Sequence, residues 1–306
     1  MSTVIVFGPT GNIGSVAARS AQEHGANVVL AMRDPKKTIP GLSSDQEQAG
    51  GFKRIQADMT DADSVAAAVT KSNAKRAFIY ATFGSPDHMK STLEALKSAG
   101  IEFVVFLSSY TVSGDAKDVV DPSDMIPYIH AQVEINLDEV FGPENYVAVR
   151  PGGFATNLLR YKSDIAVGEV KLYAPNFMLD CVTPIDMGRV SGTLLAQGPK
   201  NGQRKVYVYG PQVISTSDAI HTIAKVLGKN VNITTINAEE ALEQDIRHGL
   251  PKPLAQYMIR RFGNDEEDNI PRTHYDNGVQ NVQLYTGAPS TGFEEWVATN
   301  KDLFSA

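Results

Sequence analysis

Seven residues near the start of the chain, Gly8-Pro9-Thr10-Gly11-Asn12-Ile13-Gly14, place three glycines in a G-x-x-G-x-x-G spacing. An apolar run, Val4-Ile5-Val6-Phe7, precedes them, and helical periodicity begins at Asn12 and continues through Ile13, Val16, Ala17 and Ala21. A strand, a glycine turn and a helix in that order make a phosphate cradle. Gly8 permits the tight turn, Gly11 lets backbone approach a pyrophosphate, and Gly14 lets the helix pack closely on the strand. The free N–H groups and positive dipole end of the helix then face the diphosphate, with Thr10, Asn12 and Ile13 completing the contact. Where the next strand ends, a chain that binds NAD usually carries an acid for the ribose 2′-hydroxyl. This chain has Met32-Arg33-Asp34, with Lys37 four residues past Arg33. A guanidinium pairs with a 2′-phosphate and stacks on adenine, so NADP(H) is expected over NAD(H), Asp34 being the alternative that would serve NAD. Asp58 is placed to accept from the adenine amino group and Met59 to pack on the ring. Ala81, Thr82 and Phe83 are placed beside the ribose and nicotinamide.

These residues need a scaffold, and the apolar pattern supplies one. Short runs at Asn27 to Met32, Phe52 to Gln56, Ala77 to Ala81 and Phe103 to Leu107 read as strands. Helical stretches separate them, one opening at Thr60 as N-cap and one over Thr92 to Ala99, and this alternation means βαβ units and a parallel sheet. Tyr146 to Val149, Arg204 to Tyr209 and Val231 to Thr235 read as later strands. A helix is expected over Ser217 to Leu227, and a mostly helical stretch runs from Ala238 to Arg261, interrupted near Pro251 and Pro253. Asp265-Glu266-Glu267-Asp268 reads as a solvated loop. The expected class is α/β, a Rossmann-type doubly wound parallel sheet with a smaller C-terminal substrate cap. Residues 1–150 form the NADP-binding domain and residues 151–306 the cap, interleaved with the last sheet strands.

Composition narrows the function. The chain has 306 residues with 28 Lys+Arg against 35 Asp+Glu, a net charge of −7, which argues against a nucleic-acid partner. No apolar run reaches the roughly 20 residues that span a bilayer, so no membrane partner is expected. Cys181 is the sole cysteine, which excludes an internal disulfide. With no basic segment ahead of the first strand, a cytoplasmic location is expected. There is no Gly-x-Ser-x-Gly elbow and no Cys–His pair, and His221, His248 and His274 lack metal-ligand spacing, so hydrolase and metal-site readings fall away.

The chain resembles the NmrA-like branch of the atypical short-chain dehydrogenase/reductases, which includes isoflavone-reductase-like enzymes, quinone and azo reductases, and fungal natural-product reductases. The likeness rests on Gly8 to Gly14 with Arg33, on Asp58, and on Ser108-Ser109. It continues in Arg150-Pro151-Gly152-Gly153-Phe154 with Asn157 and in the closing Phe293-Glu294-Glu295-Trp296. It implies a dinucleotide-dependent reductase in which Ser108, Pro151, Gly152 and Phe154 also touch the cofactor. The usual Tyr-x-x-x-Lys dyad of such enzymes is broken: Tyr128 is present, but Gln132 stands at the lysine position. In a second register, similar to isoflavone-reductase-like proteins, His130 takes the place of the helix lysine. A histidine can act as general acid near neutral pH, so His130 and Tyr128 are the candidate proton donors. His88, Tyr110, Asn157 and Phe177 are the candidate substrate contacts.

The leading expectation is an NADPH-dependent reductase of a mid-sized apolar carbonyl, imine or enone, fitting natural-product biosynthesis. Two alternatives stand beside it. One is a redox-sensing regulator that binds NADP(H), does not turn over and acts on a protein partner. The other is a cyclase or isomerase that retains the cofactor without using its hydride.

Overall fold

The computed structural model describes residues 2–263 and 272–305. In the first half, strands and helices alternate: β1 (Thr3–Phe7), α1 (Asn12–Glu23), β2 (Asn27–Met32), α2 (Ser44–Gly50), β3 (Lys53–Gln56), α3 (Ala62–Ser72) and β4 (Arg76–Tyr80). The alternation continues through α4 (Lys90–Ser98), β5 (Phe103–Leu107), α5 (Met125–Phe141) and β6 (Tyr146–Pro151). The second half holds α6 (Lys162–Val167), β7 (Glu169–Leu172), β8 (Met178–Leu179), α7 (Pro184–Gln197), β9 (Lys205–Val208), β10 (Ile214–Ser215) and α8 (Thr216–Val226). It closes with β11 (Asn232–Thr235), α9 (Ala238–Arg247), α10 (Lys252–Phe262), α11 (Tyr275–Thr286) and α12 (Phe293–Thr299).

Seven strands form one parallel sheet in the order β3-β2-β1-β4-β5-β6-β9. This is the doubly wound Rossmann-type architecture expected from the strand and helix spacing. Both faces are covered, so the strands are apolar on both sides rather than alternating. Ile5, Phe7, Ile79 and Phe106 pack with α5 residues Val133 and Leu137 on one face, and Val4, Val6, Leu30 and Phe78 pack with α7 residues Met187 and Leu194 on the other. Chain order reverses between β1 and β4, and at such a switch point a crevice opens at the carboxyl ends of the strands.

α7 and β9 lie past residue 150 yet belong to this sheet layer. α7 rests on α1 through Gly188 and Gly192, one helical turn apart. A Cβ on Gly188 would fall 2.4 Å from Val16 Cβ, and one on Gly192 would fall 2.5 Å from the Ala17 carbonyl. The remaining elements form a second core, in which Leu158, Leu172, Ile220, Ile223, Phe293 and Trp296 are buried together. Among the described residues no helix is long and apolar enough to cross a membrane.

Some local expectations shift. The N-cap of α3 is Asp61, whose side chain accepts from the Asp63 and Ser64 amides, while Thr60 donates its hydroxyl to Asp58. α2 was not expected; it is a short polar helix with no buried residue, closed by a Ser43–Gln46 capping box. The Asp265 to Asp268 run lies outside the described residues.

Candidate functional site

The glycine loop leaves β1 at Gly8, which adopts φ +70° and lies so close to the Tyr80 ring that a Cβ would sit 2.6 Å from it. Gly14 is equally constrained, because its Cβ would come within 2.3 Å of the Gly8 carbonyl oxygen. Gly11, by contrast, faces open space beyond a 3.4 Å approach to that oxygen. No side chain caps α1 at Gly11, and no acid stands in its first turn, so its positive dipole end is open above the loop. Thr10, Gly11, Asn12 and Ile13 all reach the surface there. This is a cradle that fits a diphosphate and that side chains would fill.

Arg33 follows β2 with its guanidinium exposed and, among the described residues, without hydrogen bond or ion pair. Asp34 is already engaged, its Oδ1 accepting from the Lys36 amide at 2.9 Å in a local turn. Arg54, absent from the sequence reading, donates to the Pro35 and Lys37 carbonyls and pairs with Glu47, so it fixes the loop that carries Lys37. Asp58 accepts at Oδ1 from the Thr60 amide and hydroxyl. These bonds, with a smaller contribution from nearby Arg33, hold its carboxyl below the ordinary range. Its Oδ2 is left for a ligand. Met59 is buried in the sheet core at 5 % exposure rather than offered to an adenine ring. Tyr80, between Gly8, Arg33 and Asp58, is the residue at this end that the pattern did not single out.

A cavity of about 400 Å³ lies where the ends of β4, β5 and β6 meet the second core. Phe83, Ser108, Tyr110, Gly152 and Phe154 form its sheet-side wall, and Asn157 and Phe177 line the cap side. Ala81 and Thr82 lie just before Phe83; Ala81 is buried and the Thr82 amide donates to Met89 Sδ. Gly152 must be glycine because a Cβ would strike the Asp180 carboxylate, at 2.2 Å. That carboxylate in turn accepts from the Gly153 and Gly210 amides and faces Arg272 Nε at 3.4 Å. Asp180 thereby holds the turn after Pro151 in place. Burial pushes its carboxyl up from the ordinary value, against those hydrogen bonds.

α5 presents Ile126 and His130, one turn apart, to the cavity. Residues two apart on an α-helix diverge by about 200°, so Tyr128 and Gln132 do not share that face. Tyr128 instead packs edge-on against His88, with ring centroids 5.6 Å apart, and neither lines the cavity. His130 Nδ1 lies 2.8 Å from the Ile126 carbonyl and, because a carbonyl oxygen only accepts, Nδ1 carries the proton and donates it there. Burial lowers its pKa, with Ile126 and Glu134 opposing. Near neutral pH the ring is uncharged and its Nε2 is an acceptor.

Behind His130, one turn along α5, lies a buried charge pair. Glu134 meets Arg150 at 2.6 Å and 3.0 Å and also accepts the Ser108 hydroxyl at 2.6 Å. Arg150 further donates to Tyr207 Oη and to the Gly114 carbonyl. Ser108 thus spends its proton inside the protein. Glu134 was missed as a site residue, although a carboxylate inside an otherwise apolar helix face was the signal for it.

The profile of the NmrA-like family matches residues 1–297. The chain is 36% identical to the nitrogen metabolite regulation-like protein bik4 of Gibberella fujikuroi, over 97% of this chain and 95% of that one. It is 23% identical to the NAD(P)H azoreductase of Xenophilus azovorans over 99% of each. Among solved structures it is similar to the Escherichia coli NADPH-dependent quinone oxidoreductase QOR2 complexed with NADPH, with 18% identity, 97% and 99% coverage and a TM-score of 0.73.

Proposed function

The chain belongs to the NmrA-like family, and from that footing we propose that it is an NADP(H)-dependent oxidoreductase acting on a mid-sized, largely apolar carbonyl, imine or enone. The observation that carries the proposal is the meeting of two features on one sheet edge. The uncapped, glycine-lined start of α1 with the free Arg33 guanidinium lies at one end, and an aromatic cavity lies at the ends of β4, β5 and β6. Reductases among the relatives, and the NADPH carried by the quinone oxidoreductase neighbour, support this reading.

Gly8, Gly11 and Gly14 would hold the diphosphate, Arg33 with Lys37 the 2′-phosphate, and Asp58 Oδ2 the adenine amino group. NADPH, when bound, supplies hydride to an acceptor carbon. Phe83, Phe154 and Phe177 exclude water and orient the apolar body of the substrate. His130 Nε2 would accept from a water whose second O–H is free to protonate the substrate oxygen or nitrogen. The substrate gains one hydride and one proton, and the proton is drawn from solvent through that water.

Calorimetric titration with NADPH, NADP⁺, NADH and NAD⁺, followed by a carbonyl, quinone and imine screen, tests the proposal. The 2′-phosphorylated pair should bind at least about tenfold tighter, about 1.4 kcal/mol, and at least one substrate class should consume NADPH. No dinucleotide binding would overturn it. The name of the Gibberella fujikuroi relative favours a second reading, a regulator that senses the cofactor's redox state. Unequal NADPH and NADP⁺ affinities with no turnover of any acceptor would favour that reading.

A further inference from the structure

The cavity is not uniformly apolar. At the end distant from the sheet it is lined by Arg160, Asp245 and Arg261, and these are its only charged side chains among the described residues. The Nε atoms of Arg160 and Arg261 are buried without a hydrogen-bond partner. Asp245 forms a long ion pair with Arg160 Nη1, at 3.9 Å, and leaves the Nε of either arginine without a hydrogen bond. Arg160 lies over the Tyr161 ring, 5.0 Å from its centroid, which holds the guanidinium by its face. Among the described residues that line the cavity, two guanidiniums stand against one carboxylate, a net charge of +1. The Phe177 and Phe262 rings, 4.4 Å apart, also line the cavity.

We propose that this wall is an anion subsite, and that the molecule the protein takes is a monoanionic aromatic: a planar apolar skeleton with a carboxylate or phenolate oxygen held by Arg160 and Arg261. This rests on the reductase reading and deepens it by naming the substrate class. A buried, unpartnered guanidinium N–H in a largely apolar cavity is satisfied by an acceptor that arrives with the ligand, and the planar fork matches a carboxylate. The wall's single excess charge suits a monoanion, whereas a phosphate dianion would leave a charge unpaired in an apolar space. The cavity volume of about 400 Å³ accommodates a two-ring skeleton.

The test uses 2-naphthoate and its neutral counterpart 2-naphthamide, titrated calorimetrically into the full chain with and without NADPH. Naphthoate should bind at least about tenfold tighter, which is about 1.4 kcal/mol. Arg160→Gln and Arg261→Gln should each shrink that preference, and the double variant should abolish it. Naphthamide and NADPH affinities, which also report folding, should stay as they are. Arg261→Lys, which keeps the charge but not the fork, should fall between. Equal affinity for the two probes, failure of both to bind, or a preference that survives the double variant would overturn the proposal. Loss of NADPH binding with the naphthoate preference intact would instead sink the reductase reading and leave the anion subsite standing.

Discussion

Replacing Glu134 by leucine tests whether the buried pair beneath the cavity supports the site. Glu134 and Arg150 are 1 % and 0 % exposed, so the change strands a guanidinium where water cannot reach it. Orphaning one member of a buried pair costs about 3–5 kcal/mol. The Ser108 hydroxyl loses its acceptor as well, for about 1 kcal/mol more. The expected loss is therefore about 4–6 kcal/mol, a large part of the 5–15 kcal/mol that holds a typical domain folded. Arg150→Met in the same chain removes the stranded charge, and two apolar groups replacing a buried pair are often tolerated. The double variant should be more stable than Glu134→Leu alone by about 2 kcal/mol or more, the unmatched Tyr207 hydroxyl and Gly114 carbonyl limiting the recovery. Urea midpoints at pH 7 measure this, with the slope checked for constancy. A Glu134→Leu chain within about 1 kcal/mol of the parent, or a double variant as unstable as the sum of the singles, would refute the coupling.

Three further outcomes are expected. Arg33→Ser should weaken NADPH by about tenfold or more while leaving NADH unchanged in parallel calorimetry; equal losses would mean that Arg33 does not read the 2′-phosphate. For His130, burial lowers the folded pKa below the unfolded value of about 6.5, so the unfolded chain binds the extra proton. Its stabilising share is complete above about pH 6.5 and is lost as pH falls through the folded value, and His130→Gln should flatten that part of a stability profile. Gly192→Ala should destabilise the chain by about 1–3 kcal/mol in the same urea assay, since its Cβ would meet Ala17 and Ser20 across the α1–α7 contact.

The elements that could be read from the pattern are those whose burial forces a composition. β1, β2 and β5 are apolar runs because helices cover both faces of the sheet, and Gly8 and Gly14 of the first loop are forced by contacts of 2.6 Å and 2.3 Å. Where burial imposes nothing, the pattern is silent: α2 has no buried residue, and only its capping box marks it. The choice of cap between Thr60 and Asp61 turns on backbone angles, since both side chains suit the role. The arginines of the cavity wall were unreadable for another reason. Arg160 and Arg261 are about a hundred positions apart in the chain, and a guanidinium looks the same in sequence whether it faces solvent or a cavity.

The same limit bears on the broken tyrosine–lysine dyad. Gln132 at the lysine position invites the inference that the protein has lost its chemistry and kept only a sensing role. That inference requires the Tyr128 register to face the site. α5 is set by burying Ala131, Val133, Glu134 and Leu137, and with that docking Ile126 and His130 look into the cavity while Tyr128 turns to His88. A lysine at position 132 would stand on the same turned-away side as Tyr128, so its absence removes nothing from the cavity. The choice between reductase and regulator therefore rests on what His130 Nε2 does with a bound molecule. His130→Ala should cut turnover and leave NADPH affinity nearly intact in a reductase, because the side chain meets the substrate side of the cavity. Equal loss of both would assign His130 to holding the cofactor, and with it the main chemical argument for turnover at this site would fall.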